Sequence, residues 1–470
     1  MGKYYCGVDF GTSNSSVALS DGSQVKVLSL DEANVSPTSL PSLLYITNDG
    51  DPIIGREAAN AFIERNVDRE VLLKKIDLGI SIEAYVASEP DKGEGYRPHT
   101  TDGTAREAVR ASAIVEVNSP GRLFQSLKTL LRHSGFHGTD VFDRHYQIEE
   151  LVAMILQPMK EAADRAAGEP IERAVFGRPV RFSKRDLEND VAEKRLRTAA
   201  ELAGFKDVTF FYEPVGACVE YAMAAERTQR LMVVDIGGGT CDVCIMEFGG
   251  AHGFHDRLAE SKILSVAGVA VAGDAIDREI TRSKLFPVFG SNCRYGPNNL
   301  PMPQNIYNQI LDWQNIYKLN NEETIHWLIA AESTATQPEA LRSLRCLIQR
   351  NLGYPVAREV EAAKRRLSVD METIIRIDNE ALQVQEPLER KEFAHIIEEN
   401  LELMLESIKE AENLAGIRPQ DLDLVLTTGG TSLIPAIRSM LEDRFGAEKL
   451  KKRDTFTSVA TGLAIVAQYT

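Results

Sequence analysis

The segments Asp9-Phe-Gly-Thr-Ser-Asn14 and Asp235-Ile-Gly-Gly-Gly-Thr-Cys-Asp242 begin the two halves of this chain with nearly the same order of residue types. Each segment follows an apolar run typical of a strand and leads into a second apolar run, so each predicts a β-hairpin with glycine at its tip. Such a tip presents backbone N–H groups and hydroxyls that can bind a phosphate, and the adjacent aspartate can orient water bound to magnesium. One copy is weak evidence because Asp-x-Gly turns are common. Two copies predict a duplicated fold that binds a nucleotide between its halves.

The length and composition of the chain limit the class of protein. At 470 residues it is long enough for two or more domains, and its 43% hydrophobic and 26% charged residues are ordinary for a globular protein. The net charge of −16 argues against a sequence-independent nucleic-acid interface, which requires a basic face. No window approaches the roughly 18 apolar residues of a membrane span, and the N-terminus enters a predicted strand too soon for a signal peptide. We therefore expect a cytoplasmic protein without nucleic-acid or membrane partners, whose six cysteines are reduced thiols.

Strands alternate with helices in both halves, which predicts an α/β architecture. The predicted strands beyond the hairpins are 40–46, 173–177, 208–212 and 423–428, and the predicted helices include 148–156, 184–203, 215–225, 390–415 and 459–468. Residues from about 66 to 118 are rich in charge, glycine and proline, and residues 283–303 are rich in glycine, proline and asparagine. Both stretches are predicted to be irregular, the first as an inserted surface segment and the second as a loop.

Two further segments are modest signals for an adenosine site. Gly429-Gly430-Thr431-Ser432 lies between an apolar strand and a helix, where backbone N–H groups can bind an anion or a ribose. An isolated Gly-Gly is nevertheless about twice as often a plain strand-to-helix turn. Glu361, Lys364, Arg365 and Ser368 occupy neighbouring turns of one helix face, where polar groups can hold a sugar and a guanidinium can stack on a base. A solvated, charged helix face is the simpler interpretation of that pattern alone.

Two charged residues, Glu213 and Lys128, are also candidates for the nucleotide site. Glu213 directly follows a strand and can reach metal-bound water, although an exposed glutamate that starts a helix is the alternative. Lys128 stands in an apolar helical setting, where most lysines simply extend to solvent. The sequence contains no G-x-x-x-x-G-K-[ST] loop, which excludes a P-loop ATPase in its usual form.

Taken in order along the chain, these segments resemble the actin-like ATPase fold and, within it, the nucleotide-binding domain of the DnaK-type 70-kilodalton heat-shock chaperones. The two glycine segments look like the family's first and second phosphate motifs, and Glu213-Pro-Val-Gly-Ala217 is similar to the segment with its water-positioning glutamate. Gly273-Asp-Ala-Ile-Asp277 resembles the connecting glycine turn, while 361–368 and 428–432 resemble the two adenosine segments. The resemblance covers most of the chain, is weakest at about 66–118 and 283–350, and is strongest to the shortened, chaperone-like YegD group.

The resemblance implies two lobes, each built on a duplicated ribonuclease-H-like mixed sheet with flanking helices. Residues 1–230 are assigned to lobe I, with a subdomain insert at about 41–145. Residues 231–470 are assigned to lobe II, with an insert at about 268–387. The similarity runs to Thr470 and includes no acidic-hydrophobic linker or peptide-binding β-sandwich, so no peptide-binding domain is expected.

The resemblance also implies a role for each matching residue. Asp9 and Asp235 would orient waters around Mg²⁺, Lys128 would align the γ-phosphate, and Glu213, Thr240 and Asp242 would position the attacking water. The residues implied to bind the nucleotide are Gly11, Thr12, Ser13, Asn14, Gly237, Gly238, Gly239, Gly273, Glu361, Lys364, Arg365, Ser368, Gly429, Gly430 and Thr431. Phosphoryl transfer requires mainly placement and charge neutralisation, which such a set supplies. Leu433 stands where the family has an arginine over one adenine face, which leaves Arg365 to stack on the base.

We therefore expect a chaperone-like protein that binds ATP or ADP with magnesium, hydrolyses ATP slowly, and switches conformation with its nucleotide to control a protein partner or client. One alternative is an actin-like scaffold or assembly protein that holds a nucleotide without hydrolysing it. A sugar kinase of the same fold is a third possibility, disfavoured because no segment matches a sugar-binding loop.

Overall fold

The two glycine segments form the predicted hairpins. The structure, a computed structural model, describes residues 4–87, 104–183, 185–224, 227–248, 261–452 and 457–470. In the first hairpin, strand Tyr5–Asp9 pairs antiparallel with Asn14–Ser20, and in the second, Gln229–Ile236 pairs antiparallel with Cys241–Phe248. Both hairpin predictions are confirmed.

Each hairpin belongs to a mixed sheet, and the two sheets have the same topology. The first sheet has the order Asp207–Tyr212, Arg173–Arg178, Tyr5–Asp9, Asn14–Ser20, Val25–Val27, with the short strand Leu40–Pro41 also paired to Asn14–Ser20. The second has the order Leu450–Lys452, Leu424–Thr428, Gln229–Ile236, Cys241–Phe248, Lys262–Val269. In both sheets the first hairpin strand has a parallel neighbour that is itself followed by a parallel strand, and the second hairpin strand has an antiparallel neighbour. The duplication indicated by the two glycine segments thus extends to whole sheets.

Helices and smaller sheets complete the fold. The α-helices are Arg56–Asn66, Leu127–Leu130, Ile148–Ala167, Asp186–Leu202, Glu213–Ala224, Gly273–Ile280, Phe286–Val288, Gln304–Ile310, Glu322–Glu332, Pro338–Gln349, Gly353–Arg366, Arg390–Ile396, Glu398–Ala415, Pro435–Phe445 and Ser458–Val466. Shorter 3₁₀ turns span Trp313–Leu319, Pro419–Asp421 and Gly430–Leu433, and a π-helical turn spans Thr281–Leu285. The smaller sheets consist of Pro52–Ile54 with Leu43–Thr47 and Gly121–Gln125, Leu73–Ala87 with Thr104–Glu116, Gly138–Val141 with Arg144–Gln147, Arg294–Tyr295 with Leu300–Pro301, and Glu372–Asn379 with Leu382–Glu389.

A pair of helices packs between the two large sheets. Helices Glu213–Ala224 and Ser458–Val466 cross at glycines, since a Cβ atom on Gly462 would lie 1.8 Å from the carbonyl oxygen of Gly216. The last helix also packs on the first hairpin, where a Cβ atom on Gly7 would lie 2.2 Å from the Ala464 nitrogen. These approaches are possible only without side chains, and they hold the two sheets at a short distance.

One predicted irregular segment is ordered in part. Residues 66–118 were expected to lack regular structure, but Leu73–Ala87 pairs antiparallel with Thr104–Glu116. The two arms contain β-branched residues such as Ile80, Ile82, Val109 and Ile114, which favour strands, whereas the glycine- and proline-rich composition comes mainly from 88–103. Those central residues lie outside the described part of the chain. The prediction was therefore wrong for the two arms of the segment.

The predicted loop at 283–303 is also more regular than expected. It begins in the π-helical turn, continues through the helix Phe286–Val288, and includes the pair Arg294–Tyr295 and Leu300–Pro301. Buried apolar side chains at Leu285, Phe289 and Met302 anchor it in the core that also contains the second large sheet, which explains why polar turn residues do not make it irregular.

Other boundaries shift slightly. Ser42 interrupts the predicted strand 40–46, and Ile397 divides the predicted helix 390–415. The predicted helix 184–203 begins at Asp186, with Lys184 outside the described residues.

Segments predicted to be inserts of the two halves meet in a cluster of aromatic rings. We name this cluster, formed by Tyr45, Phe62, Trp313 and Tyr354, the aromatic clasp. The ring centroids of Phe62 lie 5.8 Å from Trp313 and 5.3 Å from Tyr354, those of Trp313 and Tyr354 are 4.6 Å apart, and Tyr45 lies 6.1 Å from Phe62. The pairs involving Phe62 are edge-to-face, a favoured geometry for aromatic rings.

Hydrogen bonds flank the aromatic clasp. The Asp68 N–H donates to the Arg350 carbonyl at 3.0 Å, and the Asn351 side chain donates to the Asn66 carbonyl at 3.2 Å. Asn379 donates to the Asp68 carboxylate at 2.8 Å. Because Asp68 and Asn351 both adopt positive φ angles, the backbone on both sides bends to make these contacts.

Candidate nucleotide site

The tips of the two hairpins face each other. A Cβ atom on Gly238 would lie 2.1 Å from the Ser13 hydroxyl oxygen, and one on Gly239 would lie 2.9 Å from the Thr12 hydroxyl oxygen. Glycine at these positions therefore lets the second tip approach the hydroxyls of the first. Gly11 and Asn14 complete the first tip, where the Ser42 hydroxyl donates to the Gly11 carbonyl at 2.8 Å.

A buried lysine–glutamate pair lies beside the tips. Lys128, in the short helix Leu127–Leu130, donates to Glu213 Oε1 at 2.5 Å, and the side chains are 7% and 9% exposed. Glu213 starts the helix that directly follows strand Asp207–Tyr212, so its side chain projects from the end of the first sheet. Neither residue is a solvated surface charge, which removes the simpler interpretation of both.

Three aspartates surround this pair. Asp9 ends the first strand of the first hairpin, while Asp235 and Asp242 face each other across the second. Burial raises the pKa of Asp242 to about 7, and the nearby Glu213 carboxylate adds to the effect. Burial and Glu213 likewise raise the pKa of Asp9, and that of Asp235 lies well above its usual range. Burial opposes protonation of Lys128, but the Glu213 and Asp9 carboxylates outweigh it and raise the lysine pKa.

This donor set fits a magnesium ion that arrives with a nucleotide. Two buried carboxyl groups, those of Glu213 and Asp242, and two half-buried ones, those of Asp9 and Asp235, face Lys128, so an added divalent cation would offset their mutual repulsion. Within the described ranges, no three His, Cys, Asp or Glu side chains are grouped to hold a metal ion by themselves. Magnesium commonly retains several waters and takes its other ligands from phosphates, and a few carboxylates beside tips that are predicted to bind phosphate are compatible with this coordination.

The stability of the nucleotide-free protein is expected to fall as the pH rises from about 5 to about 8. The Asp242 pKa is about 7 in the folded chain and roughly 4 in an unfolded chain, so the folded chain binds this proton more tightly. The resulting contribution to the free energy of unfolding is fully present below the unfolded-chain pKa and is lost as the pH rises through the folded-chain pKa. Thermal unfolding across this pH range measures the effect. Asp242→Asn should reduce the slope of the profile, whereas Asp49→Asn, at an exposed aspartate, should not. A stability that increases over this range would contradict the electrostatic description.

The residues proposed to bind adenosine separate into two groups. Lys364 is buried and donates to Asp277 at 2.7 Å and to the Gly273 carbonyl at 3.2 Å. Thr431 donates from its hydroxyl to the Gly237 carbonyl at 2.7 Å, which joins the third glycine segment to the second hairpin. Gly429, with φ of 80°, lies so close to Asp235 that a Cβ atom would be 2.8 Å from its carboxylate. Lys364, Gly273 and Thr431 thus lie against the second tip.

The other adenosine candidates remain at or near the surface. Glu361 and Arg365 are exposed on helix Gly353–Arg366, and Ser368 is half-buried just beyond its end. Gly430 is exposed and begins a 3₁₀ turn, and Leu433 at the end of that turn is half-buried. An exposed Arg365 is sterically free to stack on a ligand, and its role stays a prediction.

Sequence reasoning missed the residues that join the lobes at the site. The Ser126 hydroxyl donates to Asp274 at 3.2 Å, and the Val180 N–H donates to Asp242 at 2.9 Å. The Asp274 N–H also donates to the Gly238 carbonyl at 2.8 Å. The segment 273–277 was predicted to be part of the site because of its glycine. Its two aspartates were a further indication, since Asp277 pairs with Lys364.

Comparisons with known proteins give the family. The family model described as Hsp70 protein matches residues 132–259 and 349–469, slightly more than half of the chain. The chain is also 24% identical over 462 residues to chaperone protein DnaK 1 of Synechococcus sp.. That alignment covers 98% of this chain and 49% of the relative, so the chain spans about half the length of the curated protein it matches.

Within the described residues, none of the helices has the length and apolar character needed to cross a membrane. The family match agrees with the repeated sheet topology and with the meeting of the two hairpin tips. The chain belongs to the Hsp70 family, and its α/β architecture is the predicted actin-like ATPase fold of two lobes.

Proposed function

We propose that this protein binds ATP or ADP with magnesium between its lobes and hydrolyses ATP slowly. The observation that carries the proposal is the meeting of the two glycine tips beside Lys128, which is buried, and four carboxyl groups that are buried or half-buried. Backbone N–H groups and hydroxyls of the tips suit a polyphosphate, and the acidic cluster suits the accompanying cation.

The chain's own residues divide the work of hydrolysis. Lys128, held by Glu213, would place positive charge beside the terminal phosphate, where charge builds up as the bond to the β-phosphate oxygen breaks. Glu213, Thr240 and Asp242 would orient a water molecule whose oxygen forms the new bond to phosphorus. Asp242, with a pKa of about 7, is suited to accept a proton from that water near neutral pH. Magnesium, when bound through water to Asp9 and Asp235, would neutralise phosphate charge.

Closure of the lobes would act as the switch. The tips, the Ser126–Asp274 hydrogen bond and the aromatic clasp all join the two halves, so a change at the phosphates alters contacts at the far end of both inserts. A protein partner or client that binds one arrangement better would be controlled by the nucleotide. A chaperone role in the cytoplasm and a place in the YegD-like group are further parts of this proposal.

Calorimetry with ATP, ADP and GTP in the presence of magnesium, followed by phosphate release on the same sample, tests the proposal. We expect adenine nucleotides to bind and ATP to yield phosphate slowly. Gly238→Ala should weaken binding by about tenfold or more, because the methyl group would displace the Ser13 hydroxyl from the tip contact. Gly135→Ala is the matched control, since its Cβ would have no heavy atom within 4 Å.

The outcomes separate the candidate functions. Absence of nucleotide binding by a folded protein would defeat the proposal. Tight ADP binding without phosphate release, or filaments whose formation depends on protein concentration, would favour the non-hydrolysing scaffold. ADP formation that requires a sugar would favour a kinase.

A further inference from the structure

A small pocket opens on the Lys128 side of the hairpin tips. Its volume is about 20 Å³, and it is partly open to solvent. Thr12 and Gly239 border it from the two tips, Lys128 and Arg132 from the segment after strand Gly121–Gln125, and Pro179 from the loop after Arg173–Arg178. The pocket therefore begins where the end of a bound polyphosphate would lie, given the proposed function.

Arg132 supplies the uncompensated charge of this pocket. Lys128 is already paired with Glu213, and the Thr129 and Thr240 hydroxyls already bond to the Ser126 carbonyl and to Asp242. In the described part of the chain, Arg132 has no carboxylate within ion-pair distance, and its one hydrogen bond runs from Nη1 to the Phe182 carbonyl at 2.8 Å. A guanidinium has five N–H donors in a planar fork, so most remain for an oxyanion.

The walls around Arg132 are held in place. Arg195, from helix Asp186–Leu202, donates to the carbonyls of Leu131 and His133 at 3.1 and 3.0 Å. On the opposite wall, the Phe182 N–H donates to the Asn189 side chain at 2.7 Å. These hydrogen bonds fix the backbone on both sides of the guanidinium. Because the guanidinium is already positioned, little conformational entropy is lost when an anion binds to it.

We propose that Arg132 binds the terminal phosphate in this pocket, as the γ-phosphoryl group of ATP before cleavage or as inorganic phosphate afterwards. After cleavage, Arg132 holds inorganic phosphate in place and delays its release. The inference rests on the proposed nucleotide site and adds a residue to it. Arg132 itself lies outside the hairpin tips, so its role can fail while the nucleotide site stands.

The experiment measures ADP affinity by calorimetry with and without inorganic phosphate, at matched ionic strength, and then the affinity for a non-hydrolysable ATP analogue. In the unaltered protein, phosphate should increase ADP affinity. Arg132→Ala should weaken phosphate binding to the ADP complex by about tenfold, as expected for a charged hydrogen bond, while leaving affinity for ADP alone unchanged. Arg132→Lys, which keeps charge but loses the fork, should fall between them. Arg173→Ala, at an exposed arginine paired with Asp207, is the control.

Each result decides the assignment. If Arg132→Ala also weakens binding of the ATP analogue, Arg132 contacts the γ-phosphoryl group as well as inorganic phosphate. If it weakens only the binding of inorganic phosphate to the ADP complex, Arg132 contacts the product alone. Both results support the inference. An equal phosphate effect in Arg132→Ala and the unaltered protein overturns the role of Arg132. Intact ADP binding without any phosphate effect overturns the pocket but leaves the proposed function standing. No nucleotide binding at all overturns both.

Discussion

Lys128→Ala is expected to reduce ATP turnover at least about hundredfold, because among the described residues it removes the one cation that lies between Asp9, Glu213, Asp235 and Asp242. The same change should destabilise the nucleotide-free protein by about 3 kcal/mol or more near neutral pH, since Glu213 stays buried without its partner. Single-turnover phosphate release measures the first effect, and denaturant unfolding measures the second.

Two controls separate catalysis from stability. Lys160→Ala breaks another pair with a largely buried lysine, at 2.6 Å from Asp164, on a helix outside the site. It should cost stability and leave turnover nearly unchanged. The double variant Lys128→Ala with Glu213→Gln should recover stability, because no unpaired glutamate remains, and should still not hydrolyse ATP. Normal turnover in Lys128→Ala would remove the lysine from the proposed mechanism.

Phe62→Ala is expected to speed nucleotide release by roughly thirtyfold, equivalent to about 2 kcal/mol of lost contact between the inserts. Phe62 is the ring that contacts the other three members of the aromatic clasp. Its partner Tyr354 lies on the same helix as Lys364, ten residues earlier and about 15 Å along the axis. Because one helix carries both residues, we expect a movement of the lobes at the nucleotide also to separate the rings. Stopped-flow displacement of a fluorescent ADP analogue measures the rate.

The chain offers its own reporter for this motion. It contains only two tryptophans, so Trp327→Phe leaves Trp313 in the aromatic clasp as the single indole. Nucleotide binding should then change Trp313 fluorescence, and Phe62→Ala should reduce the change. Phe210→Ala is the matched control, because Phe210 is also half-buried but packs on Phe176 within lobe I, with ring centroids 6.2 Å apart. An unchanged release rate in Phe62→Ala would show that the aromatic clasp does not limit exchange.

The site was predictable where the chemistry is local. A strand, an aspartate, a glycine turn and a second strand fit within about a dozen residues, so each hairpin could be identified from its own sequence. Side-chain partners were not predictable in this way. Lys128 and Glu213 are 85 residues apart, and Lys364 and Asp277 are 87 apart, so nothing local indicates that they pair. Composition misled at 66–118 because residues between two strands dominated it.

The sequence by itself determined the two phosphate-type hairpins, the alternation of strands and helices, and the duplication, because these depend on backbone preferences and periodicity within short segments. Only the tertiary structure decided that the tips meet, that Lys128 is buried against Glu213, that Arg132 lacks a carboxylate partner in the described residues, and that aromatic rings join the inserts. Those features depend on contacts between residues distant along the chain, and their burial and charge balance exist only after both lobes have packed together.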